Sequence, residues 1–411
     1  MFTEFLAQSP TSFHAAAAVA RYLAGAGFTV QSEAEPWDAS PGGHVIVREG
    51  AVIAYRLPGP GTPHPRFRIV GTHTDSPGFK LKPHPEHTSA GWAQVGMEVY
   101  GGPLLNSWLD REFGLAGRVV LASGEVRLVA SPPWLRIPQL APHLDRSVAD
   151  NLHLDQQAHL MPVYGLAGGP DLMTAVADLA GCTVAEIAGH DLFSAAAEPP
   201  ATFGLAGEFL AAGRLDNLSS VYPGMIALVG SDPTPGVIPV LACFDHEEVG
   251  SATRTGAAGP FLEDVLARIG LGMGWTPDET YQVRARSWVV SADAGHSVHP
   301  NYAGMYDPDE RPLLGGGPML KVNARQRYTT DAPGTALWTT LAGRTGLPVQ
   351  TFVSNNAVTC GSTIGPITAT RLGIPTLDVG IPILAMHSAR EMCSPADVEG
   401  LARVLTTFFA G

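Results

Sequence analysis

The sequence predicts an α/β protein: a mixed central sheet flanked by helices and interrupted by an inserted, mainly β module. Four short apolar runs, each followed at once by residues able to bind a metal or move a proton, indicate the sheet, and a change of texture between residues 80 and 207 indicates the insertion. Apolar residues make up 45% of the chain against 15% charged, so burial can offset the entropy of ordering and intrinsic disorder is excluded. At roughly 100–200 residues per domain, 411 residues hold about two to four domains, or one large core with an insertion.

From the N-terminus, residues 10–25 predict a capped helix. Pro10-Thr11-Ser12 opens it, Phe13-His14 and an alanine-rich stretch reach Tyr22-Leu23, and Gly25 and Gly27 stop it. His14 has no metal-type neighbour there and reads as a packing or surface residue. Gly25-Ala26-Gly27 follows a helix and lacks a third glycine, so it is no dinucleotide loop. Phe67-Arg68-Ile69-Val70-Gly71-Thr72 then leads into His73 and Asp75. The run 237–244 leads into Asp245, His246, Glu247 and Glu248, the run 288–292 into Asp293 and His296, and the run 376–385, through Met386, into His387. Continuously apolar runs suit strands buried on both faces, and in such sheets ligands bind beyond the carboxyl ends. Four strand ends are thus expected to deliver polar residues to one crevice.

Within 80–207, segments 118–122 and 125–129 around a Ser-Gly turn predict a hairpin of period-two strands among irregular Pro- and His-containing stretches. A segment this long without contacts of its own is uncommon, so it is expected to pack against something, such as another subunit. The expected division is 1–79 with 208–411 as one domain and 80–207 as the insertion.

Lys and Arg number 25 against 38 Asp and Glu, a formal charge of −13, with no basic run. Phosphate neutralisation needs clustered cations, so no nucleic-acid partner is expected. Met1-Phe2-Thr3-Glu4-Phe5 lacks a signal-peptide pattern, and no apolar run of about 18 residues could span a bilayer. Cys182, Cys243, Cys360 and Cys393 form no CxxC pair and read as buried thiols in a reducing compartment. A cytoplasmic address, without membrane partners, is therefore expected.

The chain contains no HExxH. Its chemistry-bearing residues are His73 with Asp75, Asp216 with Asn217, Glu247 with Glu248, Asp293 and His387. Two histidines and three or four carboxylates can hold two divalent cations if one carboxylate bridges them, and the water between still needs a base. Adjacent Glu247 and Glu248 at a strand end would project differently, one able to ligate metal while the other faces the water. In His73-x-Asp75, residues two apart share a face of an extended segment, so the aspartate can hold the imidazole's other nitrogen. Asp216, before Asn217-Leu218-Ser219-Ser220, stands at a helix start, a rigid place for a bridging group. Each feature has an ordinary reading when taken singly: a cap, a solvated pair or an N-cap. Their joint placement after buried runs favours metal. Gly361-Ser362-Thr363-Ile364-Gly365 has its serine second, not third, so it is no nucleophile elbow; its small residues instead suit backbone amides approaching a ligand at a helix start.

Together the strings His73-Thr74-Asp75-Ser76-Pro77, Arg214-Leu215-Asp216-Asn217-Leu218, Asp245-His246-Glu247-Glu248-Val249-Gly250-Ser251, Asp293 through His299-Pro300-Asn301-Tyr302, Cys360-Gly361-Ser362-Thr363-Ile364-Gly365-Pro366 and Met386-His387-Ser388-x-Arg390-Glu391 resemble the aspartyl aminopeptidase family of two-zinc metallopeptidases, over about residues 70 to 391. The resemblance implies a zinc-peptidase-like fold with a dimerisation domain inserted. It implies two divalent ions per subunit, zinc with cobalt or manganese as alternatives: Asp216 bridges, His73 and Asp293 complete one site, and Glu248 and His387 complete the other. Glu247 would be the general base and Asp75 the orienter of His73. The family implies a homo-oligomer, a dodecamer built from dimers, acting on peptides with a free N-terminus and preferring Asp or Glu there.

Lys321 matches a family segment linked to the cationic recess for that side chain, His296 a histidine near the site, and His143 a histidine lent to a neighbouring subunit. Ala294-Gly295 and Pro142 depart from the family pattern and leave the metal set intact. Broad or neutral aminopeptidase activity, a metal-bound peptide-binding assembly without turnover, and a Ser362 hydrolase stand as alternatives. A panel of N-terminal residues, chelation and Ser362→Ala separate them.

Overall fold

The four apolar runs meet side by side. In the structure, a computed structural model that describes residues 1–59 and 65–411, strands Val237–Phe244, Arg66–His73, Trp288–Ala292 and Thr376–Gly380 are neighbours in that order, mutually parallel, in a nine-stranded sheet. Antiparallel strands join on both sides, Ala51–Leu57 against Val237–Phe244 and Met319–Val322 against Thr376–Gly380, which makes the sheet mixed. Phe244 pairs with His73 and Ala292 with Val379, so the carboxyl ends lie level.

Burial on both faces accounts for the unbroken apolar runs. Val70, Leu241, Val290 and Leu377 pack with Val19, Leu218, Val404 and Phe408 from helices Ser12–Gly25, Leu215–Gly230 and Pro395–Ala410. Their neighbours in sequence, Ile69, Val240 and Val289, point the other way, onto Phe261, Val265 and Ile269 of helix Phe261–Gly272. The helix expected over 10–25 is Ser12–Gly25, preceded by a short helix Phe2–Gln8 that the sequence pattern did not reveal.

The fourth run departs from the expectation of one strand. Thr376–Gly380 stays in the central sheet, whereas Pro382–Leu384 belongs to a five-stranded sheet ordered Ala201–Phe203, Phe209–Ala212, Glu391–Cys393, Pro382–Leu384, Gly295–His296. Pro382 has no amide proton for a central ladder, which suits it to a fresh strand start.

Between Gly78 and Ala196 the strands form a second, seven-stranded sheet. Strand Ile187–Ala196 pairs with both Gly78–Ser89 and Glu112–Leu121, closing six of the strands into a ring. Phe79, Val95, Trp108, Phe113 and Leu192 pack with Leu172 and Val176 of helix Leu172–Ala180 as its separate core. The hairpin expected at 118–129 is Glu112–Leu121 paired with Val126–Ala130.

Cys243 and Cys393 are buried, but Cys182 and Cys360, both outside the strands and helices, are only half-buried. No helix among the described residues is long and apolar enough to cross a membrane.

Candidate metal centre

His73 closes its strand and Asp293 immediately follows the next, so the central sheet presents both at one edge. Asp216 is the second residue of helix Leu215–Gly230, yet it and Asn217 depart from helical dihedrals, their shared peptide is cis, and Arg214 occupies the N-cap at φ 62. Asp216 is therefore not a cap. Asn217 ties this irregular start to the Asp293 segment, donating to Ala292 O at 3.0 Å and accepting from Ala294 N at 3.2 Å.

Two expected placements are corrected. Glu247 and Glu248 sit on a 3-10 turn, Glu247–Val249, entered through His246 at φ 63, and not at a strand end. Successive residues of such a turn leave it roughly 120° apart, yet a carboxylate oxygen of each glutamate lies within 4.8 Å of the other's. His387 comes from a turn at φ 66 beyond the small sheet, so three of the four runs deliver directly and the fourth delivers through a second sheet.

The side chains converge on Asp216. Its Oδ1 lies 3.2 Å from His73 Nε2 and its Oδ2 lies 3.5 Å from His387 Nε2. Asp293 Oδ1 is 3.4 Å from His73 Nε2, and Glu248 Oε2 is 3.5 Å from His387 Nε2. His73, Glu247 and Glu248 form a third group whose potential ligand atoms all lie within 4.8 Å of one another.

Both histidines are oriented from behind. His73 Nδ1 faces Asp75, 3.1 Å from its carbonyl and 3.4 Å from Oδ1, and His387 Nδ1 donates to Gly102 O at 2.9 Å. Carbonyl oxygens only accept, so Nδ1 carries a proton in each ring, and in the neutral form Nε2 has its lone pair on the side of the carboxylates. Asp75 also accepts from the amides of Glu247 at 3.0 Å and Glu248 at 3.1 Å, and from Tyr100 Oη at 2.8 Å. Sequence reasoning missed Tyr100 and the backbone-binding Glu391, whose carboxylate accepts from Asp216 N at 3.0 Å and His387 N at 2.7 Å. For Glu391 the signal was its place four residues after His387; nothing local marks Tyr100.

Burial and crowding shift these groups together. Burial, with Asp293, Asp216 and Asp75 nearby, pushes Glu247 up to about 7 against the pull of His73. Burial and Asp216 push Glu391 up to about 8 and hold Glu248 well above the carboxylate range. Burial opposes charge on His387, but Asp216 overrides it and raises the ring to about 9. Burial likewise opposes charge on His73, yet Asp216, Asp293 and Asp75 raise it. Such a cluster calls for positive charge. Asp216 Oδ1 and Glu248 Oε1 are buried with no hydrogen-bond partner, and two imidazoles with carboxylates form a donor set suited to zinc and similar divalent ions. The residues fit a metal pair.

Of the remaining residues predicted for the site, Lys321 reaches this set, whereas His296 and His143 belong to none of its ligand groups. Lys321 is 2% exposed and not a surface lysine. Its Nζ donates to Ala294 O at 2.7 Å, lies 3.5 Å from Asp293 Oδ2 and stands over the Tyr328 ring. His296 is open to solvent and lines a recess with Tyr328, Phe352 and Cys360. His143 sits in an exposed turn and has no contact with the cluster within this chain. The Gly361–Gly365 expectation is corrected: a Cβ on Gly365 would lie 2.4 Å from Asp378 Oδ1, and Thr363 Oγ1 donates to that oxygen at 2.6 Å. An internal carboxylate, not a ligand, meets that helix start.

A family profile described as aminopeptidase I zinc metalloprotease (M18) matches residues 5–409. A Streptomyces avermitilis protein described as probable M18 family aminopeptidase 2 is 48% identical over 99% of this chain and 96% of its own length. The cryo-EM structure of the Ape4 and Nbr1 complex covers all of this chain, and 84% of its own, at 35% identity and a TM-score of 0.96. The S. cerevisiae mApe1 dodecamer matches 99% of this chain and 95% of its own at 30% identity and a TM-score of 0.84.

Proposed function

The chain belongs to the M18 family of zinc metallo-aminopeptidases, and from that premise we propose that it removes N-terminal residues, preferentially Asp or Glu, from peptides, with Glu247 as general base. The observation that carries this reading is Asp216, whose two oxygens face histidines from different elements. In this reading Asp216 would bridge two ions, His73 and Asp293 would hold one, and Glu248 and His387 would hold the other. Two divalent cations bound there would supply Lewis acidity, acidifying the attacking water and polarising the scissile carbonyl. Glu247, outside the five residues assigned to metal, would accept the attacking water's proton and return it to the departing amine. Its elevated affinity for a proton suits both steps. Asp75 fixes the His73 tautomer and, through two amides, the turn that carries Glu247.

The acidic preference draws support from Lys321, whose buried ammonium lies over Tyr328, a wall of the recess that His296 lines. His143, exposed on a turn, is free to reach a neighbouring subunit. Segment 80–207 would serve as the dimerisation domain inserted into a catalytic domain of 1–79 and 208–411, and the assembly would be a dodecamer like that of the S. cerevisiae relative. The four unpaired cysteines support a cytoplasmic address.

Glu247→Gln should retain its metal while kcat falls about 10²–10⁴-fold. Near-normal turnover would remove the base assignment. On a panel of N-terminal residues with one chromogenic leaving group, faster cleavage after Leu than after Asp or Glu would remove the acidic preference and leave the aminopeptidase.

A further inference from the structure

Three consecutive residues of one strap touch three different members of the centre. Tyr100 ends strand Trp92–Tyr100 of the ring-shaped sheet, and its hydroxyl donates to Asp75 Oδ2 at 2.8 Å while its ring packs edge-on against Phe193. Gly101, at φ +68, runs so close to Glu248 that a Cβ there would lie 3.1 Å from Glu248 Cβ. Gly102 O accepts from His387 Nδ1 at 2.9 Å. The strap then continues along the same histidine's loop: Leu104 N donates to His387 O at 2.9 Å, and Ser107 Oγ accepts from Ala389 N at 2.8 Å.

We propose that residues 100–107 are a positioning clamp that sets the separation of the two halves of the metal centre. Tyr100 grips the His73 half through Asp75, and the Gly102 carbonyl grips the His387 half. The inference rests on the two-metal reading above and extends it to a segment outside the donor set. Asp75 is the hub of the first half, because one carboxylate faces the imidazole and both glutamate amides. Removing the hydroxyl breaks that carboxylate's tie to the strap and leaves it held by the two amides and the imidazole, so the His73 half loses its reference to residues 100–107. The His387 half, held by main-chain contacts, stays where it is, and the two halves lose register. The strap also leaves directly from the ring-shaped sheet, so that module supports the centre as well as its own core.

Tyr100→Phe tests the clamp, since it keeps the ring against Phe193 and deletes only the hydroxyl. Zinc titrated against a chromophoric chelator should load the wild type with two ions per chain and bind the variant about 10–100-fold more weakly. Peptide kcat should fall, with KM within about twofold, because the loss is in orientation and not in substrate binding. The metal-free proteins should share one Tm. Equal zinc affinity in variant and wild type overturns the clamp alone, whereas a wild type that takes fewer than two ions overturns the two-metal reading and the clamp with it. If Tyr100→Phe lowers the metal-free Tm, Ser107→Ala decides, because Ser107 touches no ligand side chain: weaker zinc binding supports the clamp, and unchanged binding overturns it.

Discussion

At Glu247, burial and the neighbouring Asp293, Asp216 and Asp75 raise the carboxyl to about 7, well above its ordinary range. Cations at the facing donors oppose that rise, since positive charge favours the carboxylate. A base works only when deprotonated, so kcat should fall as pH drops through the Glu247 value, and the acidic limb should lie below pH 7. A plot of log kcat against pH with its acidic limb above that point would assign the limb to another group. His73, Asp216, Glu248, Asp293 and His387 were legible as candidates because each is a charged or imidazole side chain beside an apolar run or helix start. Tyr100 was not: a tyrosine ending a period-two strand carries no mark of the carboxylate it meets, and Asp75 lies across a turn and a strand pairing from it. Lys321 was expected through the resemblance at a cationic recess; its burial over Tyr328, with its ammonium donating to Ala294 O, could not be read from its own segment.

Among the elements, the small five-stranded sheet does what the sequence assigned to strand ends alone. Its short strands flank Asp216, His387, Glu391 and the Asp293 segment, and strands of two to four residues leave no periodicity to read. The break between Gly380 and Pro382 is what lets one apolar run serve two sheets. Gly380 passes so close to the Asp293 backbone that a Cβ would lie 1.8 Å from Asp293 O. Gly380→Ala should therefore destabilise the fold by about 1–3 kcal/mol or more, as overpacking does, and displace Asp293. Urea unfolding measures the first effect and zinc affinity the second. Wild-type values in both would mean the two segments can part without consequence. The glutamate pair makes the same point: it was expected at a strand end with its side chains apart, but it sits on a 3-10 turn that leaves a carboxylate oxygen of each within 4.8 Å of the other's.

Over the whole molecule, Asp216, Glu247, Glu248 and Asp293 sit within one mostly buried pocket of donors, so the folded chain carries repulsion that bound cations relieve. Ions that bind only the native state stabilise it by about 2.7 kcal/mol per site at a concentration a hundredfold above Kd. Excess chelator should accordingly lower Tm, and added zinc should restore it; a Tm indifferent to chelator would mean that the cluster holds no ion contributing to stability. By itself the sequence determined the sandwiched central sheet, since strands buried on both faces are largely apolar, and it marked the candidate donors, since imidazoles and carboxylates beside such runs and at a helix start are a mixture suited to divalent ions. Only the tertiary structure decided which donors face which, that the ring-shaped sheet reaches into the centre through residues 100–107, and that Asp378 and not a ligand fills the Thr363 helix start. Those outcomes depend on pairings between segments far apart in the chain, and local composition carries no record of a partner met only on folding.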